Sequence, residues 1–237
     1  MDMFPLWNSL RIAALSSVIV FFLGIFAAFY VAKLNRIVKG IVDVLLTLPL
    51  VLPPTVVGYF LLITFGRNRP LGMFLSEFGI QFVMTWYGGV LAASVIAFPL
   101  MYRTARGAFE SFDETLAYSG KTLGLSNTYI FWRIRMPACK QGILAGFVLA
   151  FARALGEFGA TIMLISYTPG RTATISTTVF NRWQIGDDQG AFFWIVINLC
   201  ISAVVLLAVN MLERKNDKIR SSRRRLKTAT DKRAVKV

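Results

Sequence analysis

Five stretches of this chain are long, apolar and almost free of charge, at residues 12–32, 40–66, 78–102, 141–165 and 189–212. Each reaches the roughly 20 residues that a helix needs to cross a ~30 Å hydrocarbon core. Between them they carry three charges, Asp43, Arg153 and Glu157. Hydrophobic residues make up 56% of the chain, above the ~45–50% usual for a soluble domain, and the excess lies in these runs. Backbone groups in lipid must pair internally, which favours helices. A barrel would need alternating segments of about ten residues, and these runs do not alternate. The expected fold is all-α, a polytopic membrane bundle of about five to six transmembrane helices. The first run is preceded by Asp2, lacks a basic cluster before it and is followed by Lys33 and Arg36, so it reads as a retained helix and not as a secretory signal.

The basic residues set an orientation. Lys33, Arg36 and Lys39 lie in the first short loop, and Arg103, Arg106, Lys121, Arg133, Arg135 and Lys140 lie in the third. With the eleven in the tail after Leu212, these account for twenty of the 26 Lys and Arg. The opposite loops hold Arg67, Arg69, Arg171 and Arg182. With five spans, the positive-inside rule puts the N-terminus outside and the C-terminus in the cytoplasm. Trp86, Tyr87 and Tyr102 fall near the ends of the third run, where interfacial aromatics belong. The net charge of +14 is therefore explained by topology, and nucleic acid is not expected as a partner. The transmembrane domain is expected over 1–212. The tail, 213–237, has too little apolar surface to fold alone and reads as a disordered anchor touching anionic membrane lipid.

Catalytic chemistry finds no foothold. There is no histidine, and the two cysteines, Cys139 and Cys200, form no disulfide framework or metal spacing. No Ser/His/Asp set is available. No Gly-x4-Gly-Lys-Ser/Thr phosphate loop is present, so the chain does not hydrolyse ATP by that chemistry. Neither a metal nor a cofactor is expected on this chain.

Two runs are irregular. The second contains Pro49, Pro53 and Pro54, followed by Thr55. Prolines remove amide donors and clash with preceding carbonyls. Such breaks are tolerated where protein or a water-filled cavity satisfies the freed groups, and in transporters they often mark the binding region. A kinked helix that merely shapes the bundle explains them equally well. In the fourth run Gly142, Gly146, Ala150 and Ala154 recur every fourth residue, a stripe suited to close helix packing. Gly24, Ala28 and Ala32, and Ala93 and Ala97, suggest similar contacts in the first and third runs. Arg153 and Glu157 are four apart, as neighbours on one helix would be. They are expected as a structural ion pair or as a gate beside a pathway. Pro49, Pro53, Pro54, Thr55, Arg153, Glu157 and Thr161 are the candidate pathway or gate residues. The connection at 166–188 is not assigned finer structure.

The third loop, about 107–140, has its own logic. Ser111 and Asp113 precede Glu114 at an expected helix start, where Ser111-x-x-Glu114 resembles a capping box; a short helix is expected to run to Leu123, and Gly124 suits a left-handed stop. Ser126 or Asn127 is placed to cap a second helix, ended by Pro137. Leu116, Leu123, Tyr129 and Phe131 are apolar knobs in a segment that should otherwise be polar. They suggest a protein partner, against a helix lying on the membrane. After Gly124 come nine residues, Ile134, one residue, then Met136 and Pro137. This resembles the cytoplasmic loop of ABC importer permeases, whose pattern is Glu-Ala-Ala, three residues, Gly, nine residues, Ile, one residue, Leu, Pro. Tyr118, Ser119 and Gly120 stand at the Glu-Ala-Ala positions, so that half is degenerate. The segments at 48–59, LPLVLPPTVVGY, and at 151–162, FARALGEFGATI, are similar to those of molybdate importer permeases, with sulfate permeases as close relatives.

The resemblance implies a type I ABC importer permease domain over 1–212, multi-pass in the cytoplasmic (inner) membrane. It implies a homodimer, two copies of an ABC ATPase subunit that carry ATP and Mg, and an extracytoplasmic oxyanion-binding protein. The ATPase would dock on Glu114, Leu116, Tyr118, Ser119, Gly120, Leu123, Gly124, Ile134, Met136 and Pro137. The substrate would be molybdate, or tungstate. Sulfate or another oxyanion is the first alternative, and a stand-alone channel or other integral membrane protein the second.

Overall fold

The computed structural model describes residues 2–207. The basic tail at 213–237 lies outside the described residues. Regular structure among those described is entirely helical: α1 (Phe4–Ala32), α2 (Arg36–Val51), α3 (Pro54–Phe65), α4 (Pro70–Glu77), α5 (Trp86–Glu110), α6 (Glu114–Thr122), α7 (Asn127–Ile130), a π-helical turn (Phe131–Arg135), α8 (Met136–Leu155), α9 (Gly159–Ile165) and α10 (Ile175–Gln184), then α11 (Asp188–Leu207). Four stretches are long and apolar enough to span a membrane: Phe4–Ala32, Trp86–Glu110, Asn127–Leu155 and Asp188–Leu207. The α2–α3 pair, bent by 109°, supplies a fifth if it forms one broken span. The chain divides into two compact units, 1–198 and 199–237. The second is helical through its described residues, to 207.

The second run breaks where its sequence demands it. Pro49 sits inside α2 without ending it. The break comes at the Pro-Pro pair, because a residue before proline is pushed out of the helical region. Leu52 and Pro53 are both such residues, and both are extended, with ψ of 141° and 134°. The third run forms helix only from Trp86. Upstream, α4 closes in a Schellman motif: Ile80 N donates to Leu75 O at 3.0 Å and Gly79 N to Ser76 O at 3.0 Å, with Gly79 at φ +73°.

Small residues build the contacts between α1, α5 and α8. Ala13 and Ala28 of α1, Ala93, Ala97 and Ala105 of α5, and Ala150 of α8 are fully buried. Gly146 of α8 lies so close to α5 that a Cβ there would sit 3.1 Å from Met101 Sδ and Thr104 Cβ. Lipid tails are as apolar as leucine, so such helices associate by close dispersion contact and not by water release. Many large apolar side chains, among them Phe22, Phe26, Leu45 and Val51, are exposed instead. A second cluster joins α3, α5 and α9 through Val57, Ala92, Ile96, Ala160, Leu164 and Ile165.

The connection at 166–188 is ordered by short polar contacts. Thr174 caps α10 in a capping box with Thr177. The start of α1 is pinned to it, since Asn8 Nδ2 donates to Ala173 O at 2.9 Å and Ser9 Oγ accepts from Ile175 N at 2.8 Å.

Candidate functional site

The fourth run is not one continuous helix. α8 ends at Leu155, and the chain restarts as α9 at Gly159. This second break packs against the first. A Cβ on Gly159 would lie 2.9 Å from Pro54 Cβ and 3.1 Å from Thr55 N, and one on Gly58 would lie 2.6 Å from Ala160 Cα. Backbone therefore meets backbone where α3 crosses α9, and only glycine fits at either point.

Glu157 sits between α8 and α9, not on a helix face shared with Arg153. Its Oε2 lies 2.7 Å from Arg153 Nη1, and its Oε1 accepts from Ala160 N at 2.8 Å. One carboxylate thus neutralises a cation and caps the amide end of α9, where negative charge is favoured. The Glu157 side chain is 1% exposed and that of Arg153 is 30% exposed. Thr55 and Pro53 are exposed and Pro54 half-buried at the break, whereas Thr161 is buried within α9. Pro49 is set apart from this junction, lining an apolar cleft with α1 and α5.

The third loop folds back on the bundle. The cap of α6 is Asp113, whose Oδ1 accepts from Thr115 N at 3.0 Å, and not Ser111, whose hydroxyl donates to Ala108 O. A Schellman closure ends α6: Leu125 N donates to Gly120 O at 3.1 Å and Gly124 N to Lys121 O at 2.9 Å, with Gly124 at φ +77°. Ala117 and Gly120 face inward. A Cβ on Gly120 would lie 3.2 Å from both Ile130 Cγ1 and Ile134 Cδ1. Glu114 pairs with Arg135 at 2.7 Å, and the Arg135 guanidinium stacks 4.5 Å from the Phe112 ring. Burial, and then the neighbouring Arg135, lower the Lys33 ammonium below its usual range.

The outer surface of this loop presents Leu116, Tyr118, Leu123, Tyr129 and Trp132 to solvent, with Leu123 78% exposed. Ser119 is also exposed. Phe131, expected among the knobs, instead turns inward against Phe29 at 4.6 Å. Trp132 stands on this surface in the place expected for its neighbour Phe131. Ser126 caps α7, accepting from Tyr129 N. Pro137 does not end this helix. The run continues through Ile134, Met136 and exposed Pro137 into α8 as one stretch, Asn127–Leu155. The π turn just before supplies the reason. Its wider hydrogen-bonding pattern relieves the clash that proline makes with the carbonyl four residues earlier.

An ionic cluster ties α2 to the loop-bearing end of α5. Asp43 pairs with Arg106, Lys39 pairs with Glu110, and Arg106 Nε lies 3.7 Å from Glu110. Asp43 could have been recognised as needing a partner, being the sole charge in an apolar run. Which cation it meets is set by packing. Three residues, 111–113, join α5 to α6 along the chain, and the ion pairs join α5 to α2, whose far end leads to the Pro53–Pro54 break. Among the described residues no group of three or more His, Cys, Asp or Glu is placed to hold a metal ion.

With this geometry in hand, comparisons place the chain among known proteins. The family profile described as "Binding-protein-dependent transport system inner membrane component" matches residues 20–218. The "Molybdenum transport system permease protein ModB" of Escherichia coli (strain K12) is 41% identical over 216 residues, 89% of this chain and 94% of that protein. The Haemophilus influenzae protein of the same name is 40% identical over 207 residues, 86% and 88% of the two chains. A solved chain of the inward-facing MetNI methionine ABC transporter superposes with a TM-score of 0.69 at 13% identity, covering 89% of this chain and 93% of its own. A chain of the bacterial alginate ABC importer superposes at 0.73 and 19% identity, covering 90% and 79%. These likenesses show the type I ABC importer permease fold.

Proposed function

The chain belongs to the binding-protein-dependent transport system inner membrane component family, and from that premise we propose that it is the transmembrane permease subunit through which an ATP-driven importer carries molybdate by alternating access. It is a multi-pass inner-membrane protein and not itself the catalytic subunit. Two copies of the chain would form the pathway, with two ATPase subunits, loaded with ATP and Mg, against the 107–140 loop. An extracytoplasmic oxyanion-binding protein would dock on the other side, with the C-terminus cytoplasmic and the N-terminus outside.

The observation that carries the importer reading is the loop. Leu116, Tyr118 and Leu123 point out, while Ala117, Gly120 and the Glu114–Arg135 pair lock the other side of α6 to the helix that becomes α8. An exposed apolar ridge on a rigid mount suits transmission of force from a partner. Movement of α6 would reach α5 directly and α2 through Asp43–Arg106 and Lys39–Glu110. The paired breaks lie beyond these contacts, where Thr55 is exposed beside Gly159. The reading rests for its cargo on the ModB relatives. A "Probable sulfate transport system permease protein cysT" of Chlorokybus atmophyticus, 29% identical over 208 residues, supports sulfate as the second reading.

The test is reconstituted uptake of radiolabelled molybdate with the cognate ATPase and binding protein, competed with tungstate and sulfate. Leu123→Asp and Gly124→Pro should leave the protein inserted yet abolish uptake driven by ATP hydrolysis. Proline cannot adopt the φ of +77° at Gly124. Normal stimulated uptake by both variants would refute the docking assignment. Sulfate outcompeting molybdate would favour the second reading.

A further inference from the structure

Two cavities lie one above the other along the same faces of α1 and α5. The first, about 460 Å³, is lined by Trp7, Arg11, Trp86, Tyr87 and Arg171, among others. The Arg11 guanidinium sits 3.5 Å over the Trp86 ring. Arg11 and Arg171 are both exposed, and neither makes an ion pair among the described residues. The second, about 540 Å³, is a cleft whose walls are apolar side chains save Ser94 and Tyr87. Leu15, Ile19 and Leu23 line it from α1, and Val90, Leu91 and Phe98 from α5. Tyr87 borders both cavities.

The helical register makes the two spaces continuous in direction. Arg11, Leu15, Ile19 and Leu23 follow at intervals of four, so they share one stripe of α1. From Leu15 to Leu23 the cleft runs about 12 Å, close to the ~15 Å of one leaflet of a hydrocarbon core. Arg11 stands one turn, about 6 Å, beyond its end. Trp7, Trp86 and Tyr87 surround that point, as aromatics do at a membrane interface.

We propose that this is a binding site for an anionic phospholipid, its phosphate held by Arg11 and Arg171 and one acyl chain laid along the cleft. A free oxyanion would use the arginines and leave the cleft unfilled. A helix from a second copy would fill the cleft and leave the arginines without a counter-charge. An amphiphile with an anionic head answers both features. The inference concerns a surface distinct from the paired breaks and does not depend on the identity of the cargo.

The test uses the full chain purified in detergent, stripped of native lipid and titrated with phosphatidylglycerol or with phosphatidylcholine of identical chains, read by native mass spectrometry. Phosphatidylglycerol should bind more tightly by about twenty-five-fold, taking roughly fivefold for each arginine. Arg11→Gln with Arg171→Gln should bring the two lipids within about threefold, while Arg11→Lys with Arg171→Lys should keep most of the preference. Ile19→Trp, which fills the cleft, should weaken both lipids. Equal binding by the unaltered chain, a preference that survives the double Gln variant, or no effect of Ile19→Trp would each overturn the proposal. So would displacement of phosphatidylglycerol by inorganic phosphate at equal concentration, which would mark a plain anion site. Cross-linking of a Cys at Leu15 to a second copy, in place of lipid binding, would assign the cleft to that copy and also overturn it.

Discussion

Two apolar runs of this protein are broken, and they are broken by different means. Between α2 and α3 the break is written into the backbone, because Leu52 and Pro53 each precede a proline and are driven to extended angles. Between α8 and α9 no proline intervenes. That break is held by a side chain, Glu157, which caps α9 with one oxygen and faces Arg153 with the other. A break made by a Pro-Pro pair is set by the covalent geometry of the chain itself. A break made by a carboxylate depends on the charge and reach of that carboxylate, so it can be shifted by substitution or by a change in its ionic partner. The junction at Gly159, Pro54 and Thr55 therefore joins a fixed half to an adjustable one.

The largest effect should come from removing the adjustable half. Glu157→Ala loses the cap and strands Arg153, and should cost about 3 kcal/mol, the low end for breaking a buried ion pair because Arg153 retains some solvent contact. Glu157→Gln keeps an acceptor for Ala160 N and should cost less. Arg153→Met combined with Glu157→Gln should recover most of the yield and thermal stability lost by either single change. Additive losses across the three variants, read as detergent melting temperatures, would mean that the two residues do not interact.

Next is Gly159→Val. The added carbons collide with Pro54 and the Thr55 backbone, at a cost of roughly 1–3 kcal/mol, again read by thermal melting. A silent substitution would mean the two breaks are not in contact.

On the fixed half, Pro53→Ala or Pro54→Ala alone should change stability by less than about 1 kcal/mol, since the remaining proline still forbids helix before it. The double change should let α2 and α3 approach continuity. A Cys at Thr55, in a background lacking Cys139 and Cys200, should then label more slowly with a water-soluble thiol reagent than in the parent. Unchanged labelling would show that tertiary packing, and not proline, sets the bend.

The difference between the halves also explains what could be read from the residues. The apolar runs and the Pro-Pro pair act locally, so the bundle and the first break were legible from residue order. The second break was not, because 141–165 contains nothing that forbids helix. Its end at Leu155 is decided by Glu157 reaching Ala160 and by α3 pressing on Gly159. The loop divides the same way. Gly124 was recognisable as a stop because a left-handed turn needs it. The inward turn of Phe131 depends on Phe29, a hundred residues away, and the passage of Pro137 depends on the π turn before it.

The smallest expected effect lies at Asp187, near the end of the 166–188 connection. Gly190 N–H, and then Arg182, hold the Asp187 carboxyl below its usual range. A depressed folded-state value stabilises above the unfolded value and is lost as pH falls through the folded one. A slight drop in melting temperature, confined to acid below the ordinary Asp range, should vanish in Asp187→Asn. Loss of the same size in that variant would place the titration elsewhere.

The alanine-lined contacts of α1, α5 and α8 impose an asymmetry on mutation. In a leucine-filled core the damaging changes are those that remove carbon. Here Ala13, Ala28, Ala93, Ala97, Ala105 and Ala150 leave almost nothing to remove, and Ala→Gly costs mainly helix propensity, about 1 kcal/mol. Added methylenes have nowhere to go except by prising helices apart. A saturation scan of these positions should therefore divide by side-chain volume and hardly at all by hydrophobicity, with serine tolerated where leucine is not.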